Sequence, residues 1–238
     1  MMISDASVAA RGCDAWREGR FEGVDAVPAL PFASCYVYSP SGGGAAAARS
    51  RRLCALLKSA DAQILVRCAA RVRGEADARP PLAELLGAAS LLVPVPGSAP
   101  PARAMPWAAA GLADALFRAG LGGGVWRGLE RVRGVRKSAT APPGARPTVA
   151  EHYASLVVAA GCAPRALACE DIVLIDDIVT KGRTLLGAAW RLHEAMPRAR
   201  IRAFALLRTM GFASGIGRLL EPCLGEIRLR GGDARRRP

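Results

Sequence analysis

Apolar positions in this chain alternate between short compact runs and longer stretches where they return every three or four residues. The compact runs at 90–96 (SLLVPVP), 125–132, 156–158, 172–175 and 201–207 predict strands; of these, 172–175 is the most buried in character. Prolines at 94 and 96 suit the end of a strand, where a missing N–H costs no ladder bond. Helical spacing starts at Arg51, with Leu53, Leu56 and Leu57 on one face, and recurs over 64–72, 82–87, 107–119 and 184–196. In the last of these Leu185, Ala189, Leu192 and Met196 form the predicted core face. Strands that alternate with helices predict an α/β fold, a parallel sheet flanked by helices.

Other stretches carry less pattern. Residues 1–38 are weakly patterned, and Ser39-Pro40-Ser41-Gly42-Gly43-Gly44 with the alanines after it reads as a flexible low-complexity loop. Residues 133–148 are basic with Gly and Pro, which predicts a mobile loop. The charged tail 231–238 is expected to be disordered. These shifts divide the chain into an N-terminal segment 1–50, a main domain 51–212 and a C-terminal extension 213–238.

Composition narrows the class. Hydrophobic content of 51% and charged content of 22% are ordinary for a globular protein. No apolar run reaches the roughly 18 residues of a membrane span, and the first twenty residues lack the basic start and apolar core of a secretory signal. A cytoplasmic protein is expected. Seven cysteines, odd in number and without a C-x-x-C pair, argue for reduced thiols rather than a metal site or disulfide framework. The net charge of +13 could attract nucleic acid. Yet of 33 basic residues only Lys58, Lys137 and Lys181 are lysines, so much of the charge reads as the arginine-rich translation of a GC-rich genome.

The most informative chemistry lies at 172–184, Ile-Val-Leu-Ile-Asp-Asp-Ile-Val-Thr-Lys-Gly-Arg-Thr. An apolar strand ends in two acids, a short Thr- and Gly-containing loop follows, and a helix begins. Helix N-termini present unpaired N–H groups and a positive dipole end, so they hold phosphate. Asp176 and Asp177 suit sugar hydroxyls and a hard cation such as Mg2+. Neither a Walker A loop nor a Rossmann Gly-x-Gly-x-x-Gly follows any predicted strand.

The same residues resemble the phosphoribosyl-pyrophosphate (PRPP) signature of type I phosphoribosyltransferases: four apolar residues, two acids, two apolar residues, then Thr-x-Gly-x-Thr. The resemblance covers about 51–210 and is nearest to the ComF-like branch, through Val93-Pro94-Val95-Pro96 and through the helix around Lys58. It implies a parallel sheet with a variable hood. Asp176 and Asp177 would hold the ribose hydroxyls, directly or through Mg2+, and act in catalysis. Thr180, Lys181, Gly182, Arg183 and Thr184 would hold the 5-phosphate. Pro96, Gly97, Ser98 and Arg103 would meet pyrophosphate, and Arg136 and Lys137 would ride on the mobile loop.

Three departures stand out. The zinc ribbon common in that branch is absent, residues 104–108 (AMPWA) replace its usual Arg-Gly-Phe-Asn-Gln, and Thr180 stands where 6-oxopurine transferases carry an acid. The last argues against hypoxanthine–guanine specificity. The implied activity is transfer of a phosphoribosyl group from Mg–PRPP to a small nitrogenous acceptor with release of pyrophosphate; a homodimer is compatible with it. The alternative that the resemblance implies is a non-catalytic, PRPP- or nucleotide-responsive protein linked to DNA uptake or regulation, with nucleic acid as partner.

Overall fold

The computed structural model of the chain describes residues 27, 29–100, 106–136, 146–159, 170–211 and 215–238. In chain order the elements are β1 (Leu30–Tyr38), α1 (Gly44–Lys58), α2 (Ala62–Ala78), α3 (Pro80–Leu85), β2 (Ser90–Pro94), α4 (Ala108–Arg118), β3 (Gly124–Val125), β4 (Leu129–Arg131), α5 (Val149–Ala154), β5 (Leu156–Val158), β6 (Asp171–Val179), α6 (Arg183–Ala195), β7 (Arg200–Thr209), β8 (Leu220–Arg230) and β9 (Asp233–Arg237). Seven strands form one mixed sheet in the order β3-β2-β6-β7-β1-β8-β9, and β4 pairs with β5 in a separate ribbon. The first five strands of that order run parallel; β8 and β9 close the sheet antiparallel.

The expected parallel α/β sheet is therefore present, with two antiparallel strands added to it. Its central strands are buried on both faces, which is why they read as unbroken apolar runs. Along β6, Val173 and Ile175 enter one core while Ile172 and Leu174 enter the other. The first core is roofed by α1 to α4, through Cys54, Leu57, Leu65, Val72, Leu85 and Leu112. The second is roofed by α5 and α6, with Leu129 and Leu156 of the small ribbon. Each buried leucine of this kind contributes roughly 1.5–3 kcal/mol. The predicted core face of α6 holds: Leu185, Ala189, Leu192 and Met196 are all buried, and Leu186, Ala188 and Trp190 widen it.

Several expectations give way. Residues 30–38 are not patternless but form β1, whose two-sided burial and small polar Ser34 hide any alternation. The second half of the expected flexible loop at 39–48 is helix. The alanines favour helix intrinsically, so α1 starts at Gly44 rather than at Arg51. The short turn before it is tied down. Ser39 N–H donates to Ser50 Oγ at 3.1 Å, and Arg51 donates to the carbonyls of Ser39 and Gly42 at 3.2 and 2.9 Å. The single strand expected at 125–132 is two strands in different sheets, β3 beside β2 and β4 beside β5.

The disordered tail expected at 231–238 is instead the second strand of a hairpin. Gly231 and Gly232 both have positive φ, +55° and +73°, as a tight two-residue hairpin turn requires. β9 shows a single apolar residue, Ala234, which is fully buried. Its charged remainder suits a sheet edge, where charge discourages further pairing. Thus β1 and the β8–β9 hairpin, from the N-terminal and C-terminal segments, are strands of the main domain's own sheet.

Candidate functional site

In open parallel sheets, ligands sit where adjacent strands send their connections to opposite sides. Here the chain leaves β2 through α4 toward β3, and leaves β6 through α6 toward β7. The crevice between the C-terminal ends of β2 and β6 is that switch point. Pro94 is in register with Ile175, and Val95 N–H donates to Ile175 O at 2.9 Å. The loop Pro96-Gly97-Ser98 therefore starts beside the point where β6 runs on into Asp176 and Asp177. The acids lie within β6 rather than after it, with Asp176 opposite Ala205 and Val179 opposite Arg208. Topology alone thus brings the sequence-predicted pyrophosphate loop and the acid pair to one crevice.

Asp176 and Asp177 are both half-buried. Asp177 N–H donates to Asp176 Oδ1 at 2.9 Å. Burial, and then the neighbouring Asp177 charge, push the Asp176 carboxyl well above the usual carboxylate range, while Lys58 at the end of α1 works against them. A pair in this state gains from a cation that offsets its repulsion. Mg2+ binds through one or two carboxylates and keeps its other positions for water and ligand oxygens, so this pair suffices for it. Among the described residues no cluster of three or more His, Cys, Asp or Glu side chains could form a protein-only metal cage.

The loop after β6 ends at Gly182, the N-cap of α6. Its φ is +89°, and a Cβ there would lie 2.6 Å from the Ile227 side chain, so glycine is required twice over. No side chain caps α6, and its first turn holds no acid. Its first N–H groups therefore stand ready for an anion. Thr180 is exposed and Thr184 half-buried, and the Thr180 and Thr209 hydroxyls lie 3.4 Å apart.

Lys181 and Arg183 take a different course from the loop they flank. Lys181 Nζ donates to Asp233 Oδ2 at 2.8 Å, and Arg183 makes a two-pronged pair with both Asp233 oxygens. These bonds hold the Asp233 carboxyl well below its usual range. From the same hairpin, Arg236 donates to Thr180 O at 2.9 Å and to Thr209 O at 2.6 Å. What the loop itself could offer an anion is thus its backbone N–H groups and threonine hydroxyls, with the two cations tethered at its rim.

On the other side of the crevice Pro96 is buried, Ser98 half-buried and Gly97 exposed. Arg131, 2% exposed at the end of β4, donates to the Gly97 and Pro96 carbonyls and to Ser155 Oγ. Burial lowers its guanidinium to about 10, opposed by the Asp176 charge, and it stays protonated at neutral pH. Val135 N–H donates to Ser98 O at 2.8 Å, and Trp107 Nε1–H donates to Val95 O at 2.9 Å. The small ribbon and α4 both fasten this loop. Arg136 is exposed; Arg103 and Lys137 lie outside the described residues.

Three residues that sequence reasoning undervalued join the site. Arg131 was one arginine among many, and only its burial marks it. Asp233 lay in the presumed tail. His152 is 3% exposed, and its Nε2 lies 3.3 Å from Thr184 Oγ1. His193 is half-buried on α6.

Comparison with protein-family models, with curated proteins and with solved structures found no match. No helix among the described residues is long and apolar enough to cross a membrane.

Proposed function

We propose that this chain is a phosphoribosyltransferase of the type I kind, nearest its ComF-like branch, with PRPP as donor and a small nitrogen nucleophile as acceptor. One observation carries the reading: the strand order sets the 96–98 loop, the Asp176–Asp177 pair and the uncapped N-terminus of α6 around a single crevice. Those three parts match the three parts of PRPP, namely pyrophosphate, ribose hydroxyls and 5-phosphate.

Each part has a task. Thr180, Gly182 and Thr184 bind the 5-phosphate through hydroxyl and N–H donors. Asp176 and Asp177 accept hydrogen bonds from the ribose 2- and 3-hydroxyls and would hold Mg2+, which when bound neutralises the diphosphate. Arg131 fixes the Pro96–Gly97 backbone, so that the loop meets the leaving pyrophosphate in a preset shape. The ribose C1–oxygen bond to pyrophosphate breaks as the C1–nitrogen bond forms, and the acceptor nitrogen gives up one proton. The transition state is oxocarbenium-like, so positioning and stabilisation of the leaving group supply the rate.

Calorimetric titration with PRPP, with and without Mg2+, tests the reading, followed by a pyrophosphate-release screen over nitrogenous bases. Mg-dependent binding with release is the expected result. Absence of PRPP binding in both conditions would remove the proposal.

A second reading has its own observation. On β8 and β9, Arg228 pairs directly with Arg235, and Arg230 and Arg237 flank them; all four are exposed. Glu226 beside Arg228 interrupts the strip. A row of arginines along a ribbon fits a phosphate backbone, and a non-catalytic protein acting with DNA would use it.

A further inference from the structure

The second core contains a histidine that the chemistry above does not use. His152 sits in α5, which is started by a capping box: Thr148 Oγ1 accepts from Glu151 N–H, and Glu151 accepts from Thr148 N–H. α5 seats closely on α6 because Gly187 has no side chain; a Cβ there would meet His152 Cβ at 2.9 Å, Tyr153 N at 2.9 Å and Val149 O at 3.0 Å. Gly187 lies one turn after Thr184, on the same helix face. The close seating carries the imidazole to the Thr184 hydroxyl, 3.3 Å away.

His152 Nδ1 is buried with no partner. A buried N–H without an acceptor is costlier than a bare lone pair, so the ring proton belongs on Nε2, where it has one. Nε2–H then donates to Thr184 Oγ1, and the threonine's own proton is left free to point elsewhere. With the other tautomer the threonine would spend that proton on the ring. Burial, together with the charges of Arg131 and Arg183, lowers the imidazole to about 4, with Glu151 opposing, so the ring is neutral at physiological pH.

We propose that His152 is a positioning residue for the anion site: it holds the Thr184 hydroxyl so that its proton faces a phosphate bound at the N-terminus of α6. The inference rests on the reading of residues 180–184 as a phosphate loop. It names a residue outside that loop, on the segment leading into β5, that sets the loop's donor.

Calorimetry with Mg–PRPP, and separately with inorganic phosphate, tests it on the full chain. The variants are H152Q, H152N, H152L, T184V and H152L/T184V, each checked by thermal melting. Glutamine can place an amide N–H near the Nε2 position, whereas asparagine is too short to reach Thr184. The expected result is near wild-type affinity for H152Q and a loss of about tenfold for H152N and H152L, the scale of one hydrogen bond to a charged group. In the T184V background, H152L should cause no further loss. Wild-type affinity in H152L and H152N, or an undiminished H152L effect without the Thr184 hydroxyl, would overturn the proposal while leaving the phosphate loop intact. If H152L fails to fold, the contrast between H152Q and H152N decides alone, and equal affinities overturn the proposal. Absence of binding by the wild-type chain would instead remove the phosphate-loop reading, and this inference with it.

Discussion

Asp176 and His152 are both displaced from their ordinary protonation, in opposite directions, and each displacement fixes a slope of stability against pH. The Asp176 carboxyl is raised, so the native state keeps a proton that the unfolded chain releases. Its stabilising effect is full below the unfolded value of 3.8 and is lost as pH rises through the native one. His152 is lowered from 6.5 to about 4, so the unfolded chain binds a proton that the native state refuses. Its contribution is full above 6.5 and is lost as pH falls to about 4, by up to about 3 kcal/mol. Thermal melts from pH 4 to 8 should therefore show D176N gaining stability over wild type toward neutral pH, and H152Q losing less than wild type on acidification. The acid pair also carries a binding prediction. The D176N/D177N double variant should fold and bind Mg–PRPP more weakly by at least about 1–3 kcal/mol, the range for charge-assisted hydrogen bonds. Calorimetry showing unchanged affinity would end the ribose assignment. Asp176, Asp177 and Thr180 to Thr184 were legible because their whole pattern is contiguous. Arg131 and His152 were not, since nothing local distinguishes a buried arginine or histidine from an exposed one until the fold encloses it.

Among the elements, the β8–β9 hairpin changes the picture most. Its Asp233 gathers Lys181 and Arg183, and its Arg236 reaches the carbonyls of Thr180 and Thr209 while lying over the Phe32 ring, 5.7 Å from its centre. The loop at 180–184 is thus fastened from outside by residues some fifty positions away. R236A should lower stability by about 1–3 kcal/mol, because two carbonyls lose a charged donor in a half-buried place. It should also weaken PRPP binding as Thr180 loosens. Urea denaturation and calorimetry on the same variant check both, and a fall in stability without any fall in affinity would separate the hairpin from the site. The hairpin was hard to read because an edge strand such as 233–237 has little apolar content, though the Gly231-Gly232 turn between two runs was a signal. β1 escaped for a different reason: Pro31, the buried Ser34 and the small Ala33 and Cys35 break the apolar run that marks the other two-sided strands. The central strands were legible as unbroken apolar runs, and the helices by their apolar periodicity.

At the scale of the whole molecule, the question is whether the excess of 13 positive charges serves a reaction or a polyanion. The two readings place the working cations on different parts of the surface. For the enzyme the exposed one is Arg136, just after Val135, whose N–H meets the crevice loop at Ser98; Lys137, next in sequence, lies outside the described residues. Closure of the segment between β4 and α5 over PRPP would exclude water at the transition state. R136A/K137A should then lower turnover more than PRPP affinity, because a contact made at closure favours the transition state over the bound substrate. For the DNA reading the cations lie on the hairpin, and R230A/R235A should reduce retention of DNA. The slope of log affinity against log salt should become shallower by roughly 1.4–1.8, since each neutralised phosphate contributes about 0.7–0.9. Filter retention across salt, run beside a pyrophosphate-release assay on both double variants, separates the two. We expect R136A/K137A to slow release and R230A/R235A to leave it unchanged. Tight, salt-sensitive DNA binding lost in R230A/R235A, with no pyrophosphate released from PRPP by any common base, would give the protein to the second reading.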